Sequence, residues 1–470
     1  MKSILLLVII LIFAHVTLWA QNEKSVFTTH AGAVNAFARD YQSIGINPAN
    51  LGIKHTYKVA FSFGELGAGL GSRSLTQSQL NKFITAIDET PTSEERQSFV
   101  DAFANTNALN LTTDVTLWGF SIQIPKVGGF AVSNRQRVLT HIGLNKTFAE
   151  ILFLGKDASI YQDPTFQDKV LGNEPIVSSA FSGSKLQIAA FNEWNLAYGI
   201  TVLEQDDWKL AVGLGYKYIQ GIGVLDFVAQ DGKLRAYNAM SAVFGVDYGD
   251  LPTSDPNFTY VSEKGNFPFY KPAGTGHGFD IGLSADIGEK VKASLSVTDL
   301  GSIKWKNNLL QAQDQPLRPI QSDGMQTFNI FSQAATVLGD GMLTYQSGGT
   351  YTASLPTQLR AGIGFLPNEK LDLGADVALP LNDVAGNLPE YYAGVGIGYK
   401  PASFIRINTG VTSGAGYGVN VPAGINFDFG AYEFGFGTRS VNGWLTEKNP
   451  YVSALFGVLR FKIGKIENEE

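Results

Sequence analysis

Bulky apolar residues alternate with small or charged residues along most of this chain, and this period of two limits its fold more than any other feature. From Trp208 to Tyr218, the even positions are large and apolar and the odd positions are Lys, Ala or Gly. Successive side chains of a β-strand point to opposite faces, so the pattern predicts a strand with one broad apolar face and one small or charged face. The same alternation recurs in segments 279–288, 359–365, 371–379, 391–400, 421–429 and 432–439. We therefore predict an all-β protein.

The composition of the second face decides between two β architectures. A soluble sandwich would turn this face to water and would avoid glycine there, because glycine weakens a strand interior. A transmembrane barrel would turn the apolar face to lipid and the small or charged face to its lumen. Glycine supplies 52 of the 470 residues, well above the usual share of about 7%. Aromatic residues at strand ends also suit the interfacial girdles of a barrel; they are Trp208, Tyr218, Tyr391 and Tyr399. We predict a single transmembrane antiparallel β-barrel.

Residues 1–20 have the features of a secretory signal peptide. Lys2 precedes an unbroken apolar run from Ile4 to Phe13, and Ala20 provides a small residue suited to cleavage before Gln21. An uncleaved membrane helix is the alternative, but the run is short and lacks a charged stop. Since no later run reaches 18 apolar residues, we expect export followed by membrane insertion through strands rather than helices.

The lengths of the connections predict the number of strands. Short and long connections alternate along the chain, as they do in outer-membrane barrels with short periplasmic turns and long outer loops. This alternation predicts fourteen strands at 57–71, 112–124, 127–137, 184–203, 208–219, 277–287, 291–300, 357–366, 370–379, 391–400, 403–412, 419–429, 431–440 and 451–464. A hairpin in 220–250, around Asp231 and Gly232, would raise the count to sixteen if both arms joined the wall.

Two of the long outer connections carry helical patterns. Apolar residues recur at intervals of three and four, which is the spacing of one helix face. The residues are Leu80, Phe83, Ile84 and Ile87, then Phe99, Val100 and Phe103, and in the next long loop Phe148, Ile151 and Leu152. We predict helical insertions that pack over the barrel mouth; a landing site for apolar ligands is the alternative.

The sequence offers little that suggests catalysis. It has no cysteine and five histidines, none of them at the spacing of metal ligands, and no Gly-x-Ser-x-Gly motif. The net charge of −7 does not favour nucleic acid as a partner. We predict no enzymatic activity, no cofactor and no metal site. A lipase within the barrel remains the alternative, because a Ser and a His can meet from distant positions.

Four aspartates lie on the predicted lumenal faces. Asp280 with Asp286, and Asp372 with Asp376, resemble acid pairs. We instead expect them to form lumenal ion pairs, because a charge facing lipid at the membrane midplane costs up to about 2–4 kcal/mol. The expected basic partners are Lys292, Arg360, Arg406 and Arg439.

An N-terminal motif suggests a family. Small residues between Ala31 and Ala38, then Asp40, then Asn47-Pro48-Ala49 resemble the N-terminal signature of the long-chain fatty-acid transporter (FadL-like) superfamily. That superfamily also contains the shuttle protein of the type IX secretion system. The stretch from Gly278 to Trp305 resembles a barrel family of the Bacteroidota. The usual Asn-Pro-Ala-Gly reads Asn-Pro-Ala-Asn here.

The resemblance implies a domain organisation and four structural residues. A barrel formed by 55–470 would hold the segment 21–54 in its lumen as a hatch. Asp40 and Asn47 would anchor the hatch by hydrogen bonds to the inner wall, Pro48 would fix the turn before the first strand, and Ala49 belongs to the same motif.

Two functions follow as expectations. The resemblance implies passive transport of a hydrophobic small-molecule ligand across the outer membrane of a Gram-negative bacterium, with outer-membrane lipid around the barrel. The alternative is a non-transporting scaffold that binds a secreted or envelope protein, for example in secretion. A continuous apolar track through the lumen would favour transport, whereas a filled polar lumen would favour the scaffold.

Overall fold

The computed structural model describes residues 32–466 except 54, 105–108, 168–173, 247, 250, 268, 338–341 and 449. The predicted signal peptide and residues 21–31 of the predicted hatch lie outside the described residues. Within them, no helix combines the length and the apolar content needed to cross a bilayer.

The wall is a closed antiparallel barrel of fourteen strands, which confirms the predicted fold class and strand count. The seam closes where Tyr57 pairs with Lys465, and the Ile466 amide donates to the Thr56 carbonyl at 2.8 Å. The strands are β1 (Tyr57–Gly71), β2 (Leu109–Ile124), β3 (Gly128–Gly143), β4 (Ser184–Gln205), β5 (Trp208–Gln230), β6 (Gly274–Ile287), β7 (Val291–Trp305), β8 (Gln358–Asn368), β9 (Leu371–Pro380), β10 (Tyr392–Ala402), β11 (Ile405–Gly414), β12 (Ala423–Asp428), β13 (Tyr432–Thr438) and β14 (Tyr451–Lys465).

The hairpin in 220–250 does not add strands to the wall. The lower part of β5 pairs with β6, from Trp208 opposite Ile287 to Gly221 opposite Gly274. Only its upper part pairs with the strand Lys233–Met240. That strand continues the sheet above the barrel, together with Leu309–Ala312, Tyr345–Ser347 and Tyr351–Ser354.

The apolar face of the strands points outward and the small or charged face points inward. On β6, Phe279, Ile281 and Leu283 are 44%, 52% and 45% exposed, whereas Asp280 between them is 1% exposed. The same division holds along β8 and β10, where Ile363 and Val395 are exposed. The predicted assignment of faces is therefore confirmed.

Cross-strand register shows where the apolar band ends on the outer side. Three neighbouring rows of outward residues cross β4, β5, β6 and β7, and their character changes from one row to the next. They are an apolar row of Leu196, Tyr216, Phe279 and Leu300, an aromatic row of Trp194, Tyr218, His277 and Ser302, and a polar row of Asn192, Gln220, Thr275 and Lys304. Aromatic side chains favour the membrane–water interface, so the border lies at the aromatic row.

Helices from the long loops form a cap over the outer end. The predicted helical pair and the third helix are confirmed as α1 (Gln77–Thr85), α2 (Ser93–Phe103) and α3 (Lys146–Leu154); α1 ends before Ile87. Shorter helices are α4 (Ser159–Gln162), α5 (Pro164–Gln167), α6 (Val177–Ala180), α7 (Leu251–Ser254) and α8 (Ile330–Val337). Thr76 and Thr92 begin α1 and α2 with capping boxes, which satisfy the free amides of a first turn. The apolar faces pack together over the mouth, as Phe99, Phe103 and Phe148 are all buried.

Candidate functional site in the barrel lumen

The segment 32–53 lies inside the lumen and crosses it from one wall to the other; we call it the hatch. At one end, the Asp376 carboxylate of β9 accepts from the amides of Val34 and Asn35 at 2.5 and 2.9 Å. At the other end, the Ser296 hydroxyl of β7 donates to the Ile46 carbonyl at 2.6 Å. Between these contacts the hatch forms a short 3-10 helix at Asp40–Ser43, and a second one at Pro48–Gly52 follows the Ile46 contact.

The structure places the Asn-Pro-Ala motif against β5, β6 and β7. The Asn47 side-chain amide donates to the Leu283 carbonyl at 2.8 Å and to the Ser294 hydroxyl at 2.7 Å. Its oxygen accepts from the Ala49 amide at 3.0 Å, and Pro48 is the first residue of the 3-10 helix. A proline at this position needs no hydrogen-bond donor, so the motif ends the crossing segment and starts the turn towards β1.

Asp40 is joined to the last strand of the barrel. It has a φ of +50°, and its carboxylate pairs with the Arg460 guanidinium of β14, which also contacts Glu433 at 2.6 Å. The neighbouring Tyr41 hydroxyl donates to the Glu65 carboxylate of β1. Burial raises the pKa of Tyr41 well above its ordinary value, and the Glu65 charge adds to this rise. The hatch is thus joined to β14 by an ion pair and to β1 by a hydrogen bond, one strand on each side of the seam.

Lumenal glycines give the hatch backbone the space that it occupies. A Cβ atom at Gly213 would lie 2.2 Å from the Ala49 nitrogen, and one at Gly199 would lie 2.5 Å from the Pro48 oxygen. These distances are shorter than any carbon contact, so the close approach of two backbones requires glycine. The high glycine content of the inner face follows from the presence of the hatch.

The residue that departs from the usual motif has a role inside the hatch. The Asn50 side-chain amide donates to the Asn35 and Ala38 carbonyls at 2.8 and 2.9 Å. These bonds hold the two ends of the hatch together, and a glycine at this position could not form them. The Asn50 carbonyl lies 3.0 Å from Nε2 of His55, and burial lowers the pKa of His55.

Seven buried charged residues form a belt along the inner wall from β2 to β7. The Arg137 guanidinium contacts Glu193 at 3.0 Å and Asp299 at 3.1 Å, and Lys217 contacts Asp280 at 2.8 Å. Further pairs join Arg135 to Asp114 and Glu193, and Lys217 to Asp299. Asp299 lies at a bulge of β7 with a φ of +59°. We call this set the charged belt; it consists of Asp114, Arg135, Arg137, Glu193, Lys217, Asp280 and Asp299.

The four aspartates singled out in the sequence are lumenal, but only two of them have the expected partners. Asp286 pairs with Lys292 at 2.8 Å, and Asp372 pairs with Arg406. Asp280 instead contacts Lys217 of the charged belt, and Asp376 holds the hatch backbone. Sequence spacing could not predict the partners of Asp280 and Asp376, because Lys217 and the hatch lie in distant parts of the chain.

A cavity of about 240 Å³ with a mixed lining lies on the outer side of the charged belt. Its apolar lining residues include Phe191, Val224, Ile303 and Trp305, and its polar ones include Gln187, Asp226, Arg235 and Asp383. The Arg137 guanidinium lies 5.3 Å from the centre of the Phe191 ring, so the belt forms the inner end of the cavity. Trp305 is fully buried and its indole nitrogen has no hydrogen-bond partner among the described residues.

A second cavity, of about 370 Å³, opens on the periplasmic side of the hatch. Its lining is also mixed: the charged side chains of Arg39, Lys400, Arg406, Lys462 and Asp372 lie beside the apolar Phe37, Leu366 and Ile405. The hatch and the charged belt separate this cavity from the one beside Trp305. Among the described residues, no group of three His, Asp or Glu side chains is placed to hold a metal ion.

The comparison with protein families decides the relationship of this chain. Residues 48–438 match a family described as "Family of unknown function (DUF5723)". The chain belongs to the DUF5723 family. The closed barrel with its apolar outer band is that of an outer-membrane protein of a Gram-negative bacterium. No curated protein matches this DUF5723 chain.

Solved structures with a similar fold cover nearly the whole DUF5723 chain at low identity. The toluene transporter TbuX of Ralstonia pickettii has 13% identity and a TM-score of 0.43, covering 93% of this chain and 97% of its own. The toluene transporter TodX of Pseudomonas putida has 9% identity and a TM-score of 0.43, with coverages of 94% and 98%. A Pseudomonas aeruginosa FadL homologue has 10% identity and a TM-score of 0.38, with coverages of 95% and 99%.

Replacing Asn47 with alanine is expected to loosen the hatch. The change removes the acceptor for the Ala49 amide and both donors to the wall, so we expect the docked hatch to lose about 1–3 kcal/mol. Protease resistance of the hatch and single-channel conductance in planar bilayers would measure the effect.

Asn47→Asp is the matched control for this prediction. It keeps the oxygen that accepts from Ala49 and loses the two donors, so it separates the local turn from the contact with the wall. If Asn47→Ala leaves both protease resistance and conductance unchanged, the motif does not anchor the hatch.

Proposed function

We propose that this DUF5723 barrel transports small hydrophobic molecules passively across the outer membrane, and that the cavity beside Trp305 is the binding site. The observation that carries the proposal is a lumenal cavity whose lining includes the apolar side chains of Phe191, Ile303 and Trp305. We also propose that the residues 21–54 act as the hatch of the barrel, and that the protein is not an enzyme.

The size of the cavity indicates the size of the ligand. A cavity of about 150 Å³ suffices for benzene, so the observed volume of about 240 Å³ suits a single aromatic ring with substituents or a short alkyl chain. Phe191 and Trp305 line the cavity with aromatic carbon atoms, and Gln187, Asp226 and Arg235 provide polar groups. A concave pocket that combines aromatic and apolar side chains with polar groups is typical of small-molecule sites.

The charged belt limits the path beyond the cavity. An apolar molecule that entered the belt would separate ion pairs in a buried region, and uncompensated buried charges are costly. Transport therefore requires the belt and the hatch to move, or the ligand to leave sideways through the wall. No energy-coupling motif is present in the sequence, so the direction would follow the concentration gradient.

Filling the cavity is expected to block uptake. Ala353 lines the cavity, and Ala353→Phe would place a ring in the ligand's space. We expect uptake of fatty acids and aromatic hydrocarbons into proteoliposomes to fall at least severalfold from the wild-type rate. Ala285→Phe is the matched control, since Ala285 lies between the lipid-facing residues Leu283 and Ile287. Wild-type uptake no faster than that of empty liposomes would contradict transport.

A scaffold role is the second candidate, and the filled lumen favours it. The hatch, the charged belt and the helical cap occupy much of the interior outside the two cavities. Crosslinking in intact membranes followed by affinity purification tests this role. The recovery of the barrel alone would count against a scaffold, whereas a stoichiometric envelope protein together with absent uptake would favour it.

A further inference from the structure

An outer loop lies against the lipid side of the barrel wall. Two short strands, Gly265–Asn266 and Phe269–Tyr270, pair with each other and place Phe267 at the turn. We call this the aromatic hairpin. The ring of Phe269 stacks on Trp194 of β4 with centroids 5.5 Å apart and planes at 16°. Since Trp194 points outward, the hairpin folds down over the outside of the barrel.

The hairpin is held at this position by the polypeptide on both sides. The Lys271 amide donates to the Lys264 carbonyl at 3.1 Å, which closes the base of the hairpin. The Ser241 hydroxyl donates to the Lys271 carbonyl at 2.6 Å, and the Ala273 amide donates to the Gly221 carbonyl of β5 at 2.8 Å. The hairpin is thus an ordered part of the wall rather than a loose loop.

The register of the wall places the hairpin at the outer membrane border. Trp194 belongs to the aromatic row that marks the end of the apolar band, and it also contacts Trp118 with centroids 6.2 Å apart. The ring of Phe269 therefore lies at the depth of the interfacial girdle. Phe267 and Phe269 are nevertheless 58% and 62% exposed, so most of their ring surface is turned away from the protein.

Three lysines lie beside the hairpin in sequence or beyond the aromatic row of the wall. Lys264 and Lys271 flank the hairpin, and of these two only Lys271 has an acidic partner among the described residues, Glu263 at 3.2 Å. Lys304 points outward from the polar row of the wall, one row beyond the aromatic row. Apolar rings at the border with cations just beyond it match a lipid surface, where acyl chains meet anionic phosphates.

We propose that the aromatic hairpin is a lipid-binding site that inserts Phe267 and Phe269 into the outer leaflet and holds phosphate groups of lipid A with Lys264, Lys271 and Lys304. The argument for this occupant is continuity: the exposed rings extend the band by which the barrel already contacts lipid. This inference does not depend on the transport proposal, because it concerns the outside of the wall.

The depth of the hairpin can be measured with a nitroxide label. The chain has no cysteine, so Phe267→Cys provides one labelling site in the full-length barrel. The control site is Gln230→Cys, at the exposed outer end of β5 and far above the border. In nanodiscs of phosphatidylcholine with lipid A, we expect the label at 267 to collide severalfold more with oxygen, relative to a water-soluble nickel complex, than the label at 230. Equal ratios at the two sites would overturn the proposal. Equal ratios are also the result expected if the hairpin binds a protein partner instead of lipid.

The role of the three lysines is tested by the amount of lipid A that the barrel retains. We expect Lys264→Gln, Lys271→Gln and Lys304→Gln together to reduce severalfold the amount of lipid A that co-purifies with the barrel from mixed bilayers. Lys209→Gln, at a periplasmic turn, is the control and should retain the wild-type amount. The depth of the label at 267 should stay the same in the triple variant. If the triple variant and the control retain equal lipid A, the phosphate site is wrong.

Discussion

Arg137→Ala is expected to destabilise the barrel by about 3–5 kcal/mol, because it leaves two buried carboxylates without their common partner. Arg137 is 1% exposed and joins Glu193 on β4 to Asp299 on β7. The charged belt contains three cations and four anions, and without Arg137 it contains two cations and four anions. Urea unfolding of the lipid-embedded barrel, followed by tryptophan fluorescence, would measure the change in the free energy of unfolding.

Two further variants show whether the effect comes from uncompensated charge. Lys209→Ala breaks an exposed pair with Glu204 at a periplasmic turn, and surface pairs contribute about 0–1 kcal/mol. The double variant Arg137→Ala with Glu193→Gln removes one of the stranded charges and should recover part of the lost stability. If Arg137→Ala is no less stable than Lys209→Ala, the charged belt does not stabilise the barrel.

Gly213→Ala is expected to displace the hatch from the wall. The added Cβ would lie 2.2 Å from the Ala49 nitrogen and from the Pro48 carbonyl carbon. Both atoms belong to the backbone and cannot turn aside, so the hatch must move or the strand must bend, at about 1–3 kcal/mol. Hydrogen exchange of the hatch amides should accelerate by about tenfold or more, since each 1.4 kcal/mol is a factor of ten.

Gly437→Ala is the matched control for this prediction. Gly437 lies on β13 with the nearest atom to its added Cβ at 3.1 Å, and none of its close neighbours belongs to the hatch. We expect wild-type exchange in the hatch of this variant. Equal exchange in Gly213→Ala and the wild type would show that the close contact at Gly213 does not hold the hatch.

The sequence was sufficient for the wall because one face of each strand contacts lipid. That requirement produces the alternation of apolar and small residues that predicts β6 and β10. The alternation of short and long connections predicts the count of fourteen strands. The same reasoning misplaced the outer ends of strands. β5 continues to Gln230 instead of ending at 219, because beyond the polar row of Gln220 the outward residues no longer need to be apolar although the strands still pair.

The interior was predictable only in outline. The alternation places Asp280 and Lys217 in the lumen, but it does not say that they meet, since β5 and β6 are separated by the long segment 231–273. Likewise, the anchor of Asp40 is Arg460, far away in the chain. The aromatic hairpin also escaped prediction, because its residues have no periodicity and acquire their position only through the stack of Phe269 on Trp194.

The pairing of Asp40 with Arg460 has a consequence for the order of assembly. The two residues are separated by 420 positions, and Arg460 belongs to the strand that is synthesised last. The pair can therefore form only after β14 has been made. It joins the first described segment of the chain to the last strand, so it is completed late in assembly.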